Sequence, residues 1–298
     1  MKFKPWVYLL ASCALGYGGY SLYQRSANPP HQLSLSAIQY DRPYEPLYDT
    51  RPLTGEEQQE AEKALRQDYT YFGCGGQAYV FFSVDGKYAL KFFDQRHFRE
   101  PTHLNYIPFI KKYRDLKYAK RKKKVQGEYG SYKMGFEQLP EETALVYVHL
   151  NKTSHLKKSI TYIDKQKKEH KIDLDKTDFI IQRRAELVHD KIHRQMAAGD
   201  VEGAKQTISS VVNLIVARCK KGYSDKDPNI ATNCGILNGR AIKIDVGRFA
   251  IDPRMKNPLF FKPELFHLVR PFHHWLSQKY PDLAEHLNHE VFQVIAHE

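Results

Sequence analysis

The chain has 298 residues, of which 42% are hydrophobic and 13% aromatic, a composition typical of a globular protein with a real core. Its 46 basic residues exceed its 34 acidic ones, and the resulting charge of +12 suits an anionic partner such as a nucleotide, a phospholipid or a nucleic acid. The four cysteines have no CxxC spacing, which argues against a disulfide framework or a zinc knuckle and indicates a reduced compartment.

An uncharged stretch at residues 6–23 follows Lys2 and Lys4 and precedes Arg25. About 17–25 apolar residues are needed to span a bilayer. We therefore predict that residues 1–25 form a single-pass membrane anchor and that the protein is located at a membrane, on a side that the charges leave undetermined. A cleaved signal peptide and a lipoprotein signal ending at Cys13 are the alternatives.

Five prolines and scattered polar residues fall within residues 26–54, where no helical or strand periodicity is visible. This composition predicts a linker. The polar stretch at residues 55–67 then predicts a short helix that leads into the folded domain.

A glycine-rich segment precedes a predicted hairpin. Residues 80–84 and 88–93 are rich in aromatic and branched side chains, and Asp85-Gly86 between them favours a tight turn that matches strand twist. Ahead of the hairpin lie three glycines, which allow backbone amides to approach phosphate oxygens closely. These are Gly73, Gly75 and Gly76. A dinucleotide-binding fingerprint would instead lead into a helix.

The order of glycine loop, hairpin and Lys91 resembles the glycine-rich loop and β3 lysine of protein kinases. The sequence departs from that family at Ala78, which replaces the third glycine. The resemblance implies that the three glycines cover the phosphates of a bound nucleotide and that Lys91 contacts its α- and β-phosphates. Without the resemblance, the segment is an ordinary hairpin with a surface lysine.

A second group of polar residues follows about 150 residues later. Asp245-Val246-Gly247 comes after a predicted strand at 241–244 and occupies the place of the kinase DFG motif. By resemblance, Asp245 and Asn233 would bind Mg²⁺, since carboxylate and amide oxygens suit this cation. Asp227 would be the catalytic base, with Asp225 as a competitor for that role.

The spacing of this group departs from the kinase pattern. Asp227 precedes Asn233 by six residues, whereas the family has five, and no His-Arg pair precedes the aspartate. A catalytically inactive pseudokinase that acts as a binding or scaffolding module therefore remains the alternative to an active enzyme.

The segments between the two groups are consistent with kinase order. Residues 125–139 would form the αC helix, whose Glu128 would pair with Lys91, with Glu137 as the second choice. Strands are expected at 143–148 and 178–182, the latter leading to the hinge. Apolar residues at helical spacing predict a long C-lobe helix over residues 201–220.

The predicted fold is α+β and two-lobed, with an antiparallel-sheet N-lobe at 55–182 and a minimal helical C-lobe at 183–298. Only about fifty residues follow Asp245-Val246-Gly247, and they predict two closing helices at 263–279 and 281–296. No A-P-E motif is present, so the C-lobe is more similar to small bacterial kinase-like enzymes, including sugar and lipopolysaccharide kinases.

The run from Lys111 to Lys124 has nine basic residues in fourteen. It is consistent with a solvated helix face or with a surface that contacts anionic lipid headgroups. Nucleic acid is the least favoured partner, because no recognised reading motif accompanies the run. The sequence thus predicts a membrane-associated phosphotransferase that uses ATP and Mg²⁺ on an unknown acceptor.

Overall fold

The computed structural model describes residues 33–163 and 169–297. The predicted anchor at residues 6–23 lies outside these ranges, so it stays a prediction. Within them, no helix is both long and apolar enough to cross a membrane.

The first half of the domain is built on antiparallel strands. Their bounds are Tyr69–Cys74 (β1), Ala78–Ser83 (β2), Tyr88–Phe93 (β3), Leu145–His149 (β4), Ser159–Ile163 (β5), Glu169–Asp173 (β6) and Phe179–Arg183 (β7). Five of them form one antiparallel sheet in the order β1-β2-β3-β7-β4, and β5 pairs with β6 in a separate hairpin. The predicted turn between β2 and β3 is confirmed, and Gly86 supplies its left-handed φ of 71°.

Helices flank this sheet. Their bounds are Leu35–Ile38 (α1), Gly55–Leu65 (α2), Lys111–Gln138 (α3) and Pro140–Thr143 (α4). The predicted helix at 55–67 is confirmed as α2, which begins at a capping box formed by Thr54 and Glu57. The predicted αC helix is part of α3, which extends N-terminally through the whole basic run.

Residues 33–54, which the proline content predicts to be a linker, instead fold onto the N-lobe. Leu33, Ile38 and Tyr48 are buried in its hydrophobic clusters. Arg51 pairs with Glu57 at 2.6 Å and donates its backbone N–H to a glutamate of α3. The proline-rich composition therefore does not make this segment a free linker, because three of its apolar side chains are buried in the core of the N-lobe.

The second half is largely helical. Its helices are Val188–Ala197 (α5), Val201–Lys220 (α6), Ile230–Asn233 (α7), Pro258–Lys279 (α8) and Pro281–His297 (α9), and its short strands are Glu186–Leu187 (β8), Tyr223–Asp225 (β9), Cys234–Leu237 (β10), Arg240–Lys243 (β11) and Phe249–Ile251 (β12). The apolar stripe of α6 is buried against α8 and α9, as its periodicity predicts.

The α+β class predicted from the sequence is thereby confirmed, and the order of the elements is consistent with the predicted kinase-like layout. An antiparallel five-stranded sheet carries one long helix between its third and fourth strands in sequence, and a compact helical half follows it. The hairpin of β10 and β11, with left-handed Asn238 and Gly239 at its turn, leads directly to Asp245.

Candidate active site

Lys91 lies in the middle of β3, paired with Val80 of β2 and Ile180 of β7. Its Nζ donates to Gln182 Oε1 at 2.8 Å and to the carbonyl oxygen of Ile244. The lysine thus connects the sheet to the residue directly before Asp245. Burial lowers the pKa of Lys91 to about 8, and the negative charge of Asp245 opposes that shift.

Glu128 projects from α3 and is buried. With its amide oriented to donate, Gln77 of the glycine loop places Nε2 at 2.6 Å and 2.5 Å from the two Glu128 oxygens. A methyl group added to Gly247 would lie 3.4 Å from the Glu128 carboxyl, so the glutamate faces the predicted metal-binding turn.

The expected ion pair between Lys91 and Glu128 is not formed in the structure, because the Lys91 ammonium bonds to Gln182 and Ile244 instead. Burial and, to a smaller extent, the negative charge of Asp245 raise the pKa of Glu128 to about 7, although the positive charges of Lys124 and Arg248 oppose the shift. A carboxyl group that is partly protonated at neutral pH attracts a lysine weakly.

Glu137, the second choice for the same role, accepts the backbone N–H of Arg51 at 2.7 Å. It lies more than two helical turns beyond Glu128, on the side of α3 that residues 33–54 cover. Of the two glutamates, only Glu128 faces Asp245 and Gly247.

The turn that begins at Asp245 is held by three side-chain contacts. Its Oδ1 accepts the backbone N–H of Gly247 at 3.2 Å and the hydroxyl of Tyr132 at 3.3 Å. The next residue, Val246, is fully buried, and its carbonyl accepts the hydroxyl of Ser131. Helix α3 therefore positions both Glu128 and the turn that carries Asp245.

Asn233 ends α7 and lies beside Asp245. Its carbonyl oxygen accepts the backbone N–H of Ile244 at 2.8 Å, and its side-chain oxygen accepts the Thr232 hydroxyl at 2.9 Å. The structure thus brings together the two residues that the sequence predicts as metal ligands, although twelve residues separate them.

The donor set fits Mg²⁺ bound with a nucleotide. One carboxylate and one amide oxygen are hard ligands, and Mg²⁺ usually takes the remainder from waters and substrate phosphates. Among the described residues, no cluster of three or more His, Cys, Asp or Glu side chains could hold a metal alone. Asp245 and Asn233 would accordingly need phosphate oxygens to complete the coordination.

Asp225 and Asp227 have different environments. Asp225 is buried and forms an ion pair with Lys243 at 2.6 Å, while its backbone N–H donates to Glu264. Asp227 has a side chain that is 25% exposed, with Arg248 Nε at 3.6 Å. The carboxylate of Asp225 is therefore engaged within the protein, and that of Asp227 is accessible to a substrate.

The glycine loop joins β1 to β2. The N–H of Gly75 donates to the carbonyl of Ala78 at 2.9 Å and closes the turn. A methyl group added at Gly73 or Gly76 would meet nothing within 4 Å, and none of the three glycines has a left-handed φ. The packing of the protein does not require glycine at these positions. Because the glycines have no side chains, they leave open space next to the backbone of the loop.

Several supporting residues could not be identified from the sequence. Gln182 resembles any polar residue in a strand, and Lys243 resembles a solvent-facing lysine. In the structure Gln182 also donates to the carbonyls of Thr143 and Lys243 at the junction of the two halves. Arg218 forms an ion pair with Glu264 at 2.7 Å, and the same glutamate accepts the backbone N–H of Asp225. Only their spatial neighbours reveal these roles.

Among known proteins, only solved structures show similarity to this chain. No family model and no curated protein matches the sequence. A structure of the bifunctional kinase-methyltransferase WbdD is similar at 15% identity and a TM-score of 0.34, over 89% of this chain and 49% of that one. A second WbdD structure gives 16% and 0.34, over 76% and 46%. Rv3197 of Mycobacterium tuberculosis, in complex with erythromycin, gives 14% and 0.35, over 78% and 67%.

This chain spans about half the length of the WbdD structures that it matches.

Proposed function

We propose that the protein is a membrane-associated phosphotransferase that moves the γ-phosphoryl group of ATP to an acceptor hydroxyl, with Mg²⁺ as cofactor. The observation that carries the proposal is the meeting of Lys91, Asn233 and Asp245, which come from distant parts of the chain. Glu128 lies beside the same turn. These are the residue types that phosphoryl transfer needs, because it depends mainly on positioning and charge neutralisation.

Each residue has a distinct proposed role. The glycine loop of Gly73, Gly75 and Gly76 covers the phosphates, and Lys91 holds the α- and β-phosphates. Glu128 orients Lys91 once the ammonium leaves the Ile244 carbonyl. Asn233 and Asp245 hold Mg²⁺, which neutralises phosphate charge when it is bound.

Asp227 accepts the proton of the acceptor hydroxyl while the oxygen of that hydroxyl forms a bond to the γ-phosphorus. The bond from that phosphorus to the β,γ-bridging oxygen breaks, and ADP leaves with the electron pair. The accessible carboxylate of Asp227 supports this choice over the buried Asp225.

The membrane part of the proposal rests on the sequence. Residues 6–23 are the anchor, and the basic run from Lys111 to Lys124 contacts anionic headgroups. Full-length protein should stay in the membrane fraction after a carbonate wash, and recovery of the uncleaved chain in the soluble fraction would contradict the anchor.

A second candidate function is that of a pseudokinase, which acts as a binding or scaffolding module without catalysing phosphoryl transfer. Two observations favour it: the six-residue spacing before Asn233 and the engagement of Lys91 by Gln182 instead of Glu128. Both are features of a site that lacks part of the arrangement typical of active kinases.

The test compares full-length parent protein with Lys91→Ala and Asp227→Ala, measuring nucleotide binding and γ-phosphate release or transfer. We expect Lys91→Ala to lose both. Asp227→Ala should keep binding and lose about 10²–10⁴-fold in turnover. Binding without turnover in the parent would favour the binding module, and a parent that binds no nucleotide would contradict the phosphotransferase.

A further inference from the structure

The loop before α3 and the first turns of that helix present large apolar side chains to solvent. Phe109 is fully exposed, Tyr106 is 87% exposed and Leu116 is 66% exposed. Ile107 and Tyr113 are about half exposed. We refer to residues 105–124 as the tip. Several large apolar side chains in one short exposed segment are unusual for a surface that meets only water.

The same segment is strongly basic. Nine of the fourteen residues from Lys111 to Lys124 are Lys or Arg. Its one acidic residue, Asp115, is paired with the adjacent Arg114 at 3.0 Å. The tip therefore has a large uncompensated positive charge beside its apolar side chains.

Apolar and basic side chains share one face of the helix. Tyr113, Leu116, Lys120 and Lys123 follow one another at intervals of three or four residues, so they lie along one side of α3. The ammonium of Lys117 lies 5.0 Å from the centre of the Tyr113 ring. Along this face the apolar residues are nearest the helix start and the lysines follow.

The tip is fixed to the domain by polar contacts. The hydroxyl of Tyr118 donates to Asn105 at 3.2 Å, which holds the loop against the helix. Arg121 donates to the carbonyl of His97, and Lys124 lies over the ring of Phe98. The loop and the helix therefore present one surface of defined shape.

We propose that the tip docks on an anionic lipid bilayer, with Tyr106, Phe109 and Leu116 entering the headgroup region and the lysines contacting lipid phosphates. Apolar residues beside a basic helix face form the pattern of segments that lie in a membrane interface. Charge complementarity selects anionic over zwitterionic lipid. A purely solvated face would have the lysines without the exposed Phe109.

This proposal deepens the membrane part of the proposed function and does not depend on phosphoryl transfer. The helix that carries the tip also carries Glu128, about 22 Å further along at 1.5 Å per residue from Tyr113. Docking of the tip would therefore fix the candidate active site relative to the bilayer.

Hydrogen–deuterium exchange of the full-length chain tests the proposal, with nucleotide omitted so that catalysis has no influence. The protein is mixed with nanodiscs that contain phosphatidylglycerol or phosphatidylcholine alone. We expect peptides from residues 101–120 to exchange more slowly with the anionic discs only. Phe109→Ser with Leu116→Ser should abolish this protection, and Phe292→Ser, an exposed phenylalanine of α9, should leave it unchanged.

The charge contribution is tested with Lys120→Gln and Lys123→Gln together. Each lysine near an anionic surface accounts for about a fivefold change in binding, so the pair should weaken docking about 25-fold. Equal protection by both lipids, protection by RNA or DNA but not by discs, or no protection at all would each overturn the proposal.

Discussion

The guanidinium of Arg42 and the carboxylate of Asp178 form an ion pair inside the N-lobe. The same carboxylate oxygen accepts the hydroxyl of Tyr129 at 2.8 Å and the amide of Gln95 at 2.9 Å. Tyr129 is the neighbour of Glu128 on α3, and its ring lies 4.5 Å from the Arg42 guanidinium carbon. Residues 33–54 therefore help to fix the helix that bounds the candidate active site.

Replacing Arg42 with Met should destabilise the protein by about 3 kcal/mol, because Asp178 would stay buried without its cation. Urea unfolding at neutral pH measures the change. Arg66→Met is the matched control, since the Arg66–Glu62 pair is exposed and such pairs contribute about 0–1 kcal/mol. A chain that begins at Gly55 should show a loss at least as large as that of Arg42→Met. Equal stability of the two arginine variants would contradict this role for Arg42.

Substitution of Asp225 should affect stability far more than substitution of Asp227. Asp225→Ala leaves Lys243 buried and unpaired, so we expect a loss of about 3–5 kcal/mol in unfolding free energy. Asp227→Ala should change stability little, since its carboxylate is partly exposed. Chemical denaturation of both variants measures the difference. If Asp227→Ala were the more destabilised, the assignment of the structural and the accessible aspartate would be reversed.

Glu128 should make stability depend on pH. Its pKa of about 7 lies above the ordinary value of 4.5, so its contribution is fully present below pH 4.5 and is lost as pH rises through 7. Glu128→Gln cannot ionise. The stability of the variant relative to the parent should therefore increase between pH 5 and pH 8, by up to about 3 kcal/mol. Urea unfolding at both pH values measures this, with Glu137→Gln as the control on the same helix. A constant difference across this range would contradict the burial of an ionisable Glu128.

Asp245 and Asn233 should both be needed for Mg²⁺-dependent nucleotide binding, because the two side chains supply the hard oxygen ligands. We expect Asp245→Asn and Asn233→Ala to bind ATP with little or no response to Mg²⁺. Titration calorimetry with and without the cation measures this, and Asn229→Ala, at the N-terminus of α7, is the control. An unchanged Mg²⁺ response in both site variants would rule out this metal site.

Features that depend on neighbours in sequence were predictable. The Asp85-Gly86 turn, the helix over residues 201–220 and the strand before Asp245 follow from turn preferences and side-chain periodicity, and the structure confirms them. The order of the glycine loop, Lys91 and Asp245 was enough to predict a kinase-like layout. The turn, helix and strand signals each act within a few residues along the chain, and the kinase-like layout follows from the order in which such local motifs occur.

Only the tertiary structure determined which groups meet. The bond from Lys91 to Gln182 joins residues 91 positions apart, and nothing in either strand distinguishes it from the expected pairing with Glu128. The sequence likewise did not predict that residues 33–54 fold onto the N-lobe or that Asp225 is buried beside Lys243. A buried charge takes the partner that best offsets its loss of water, and that choice depends on every group the fold brings near it.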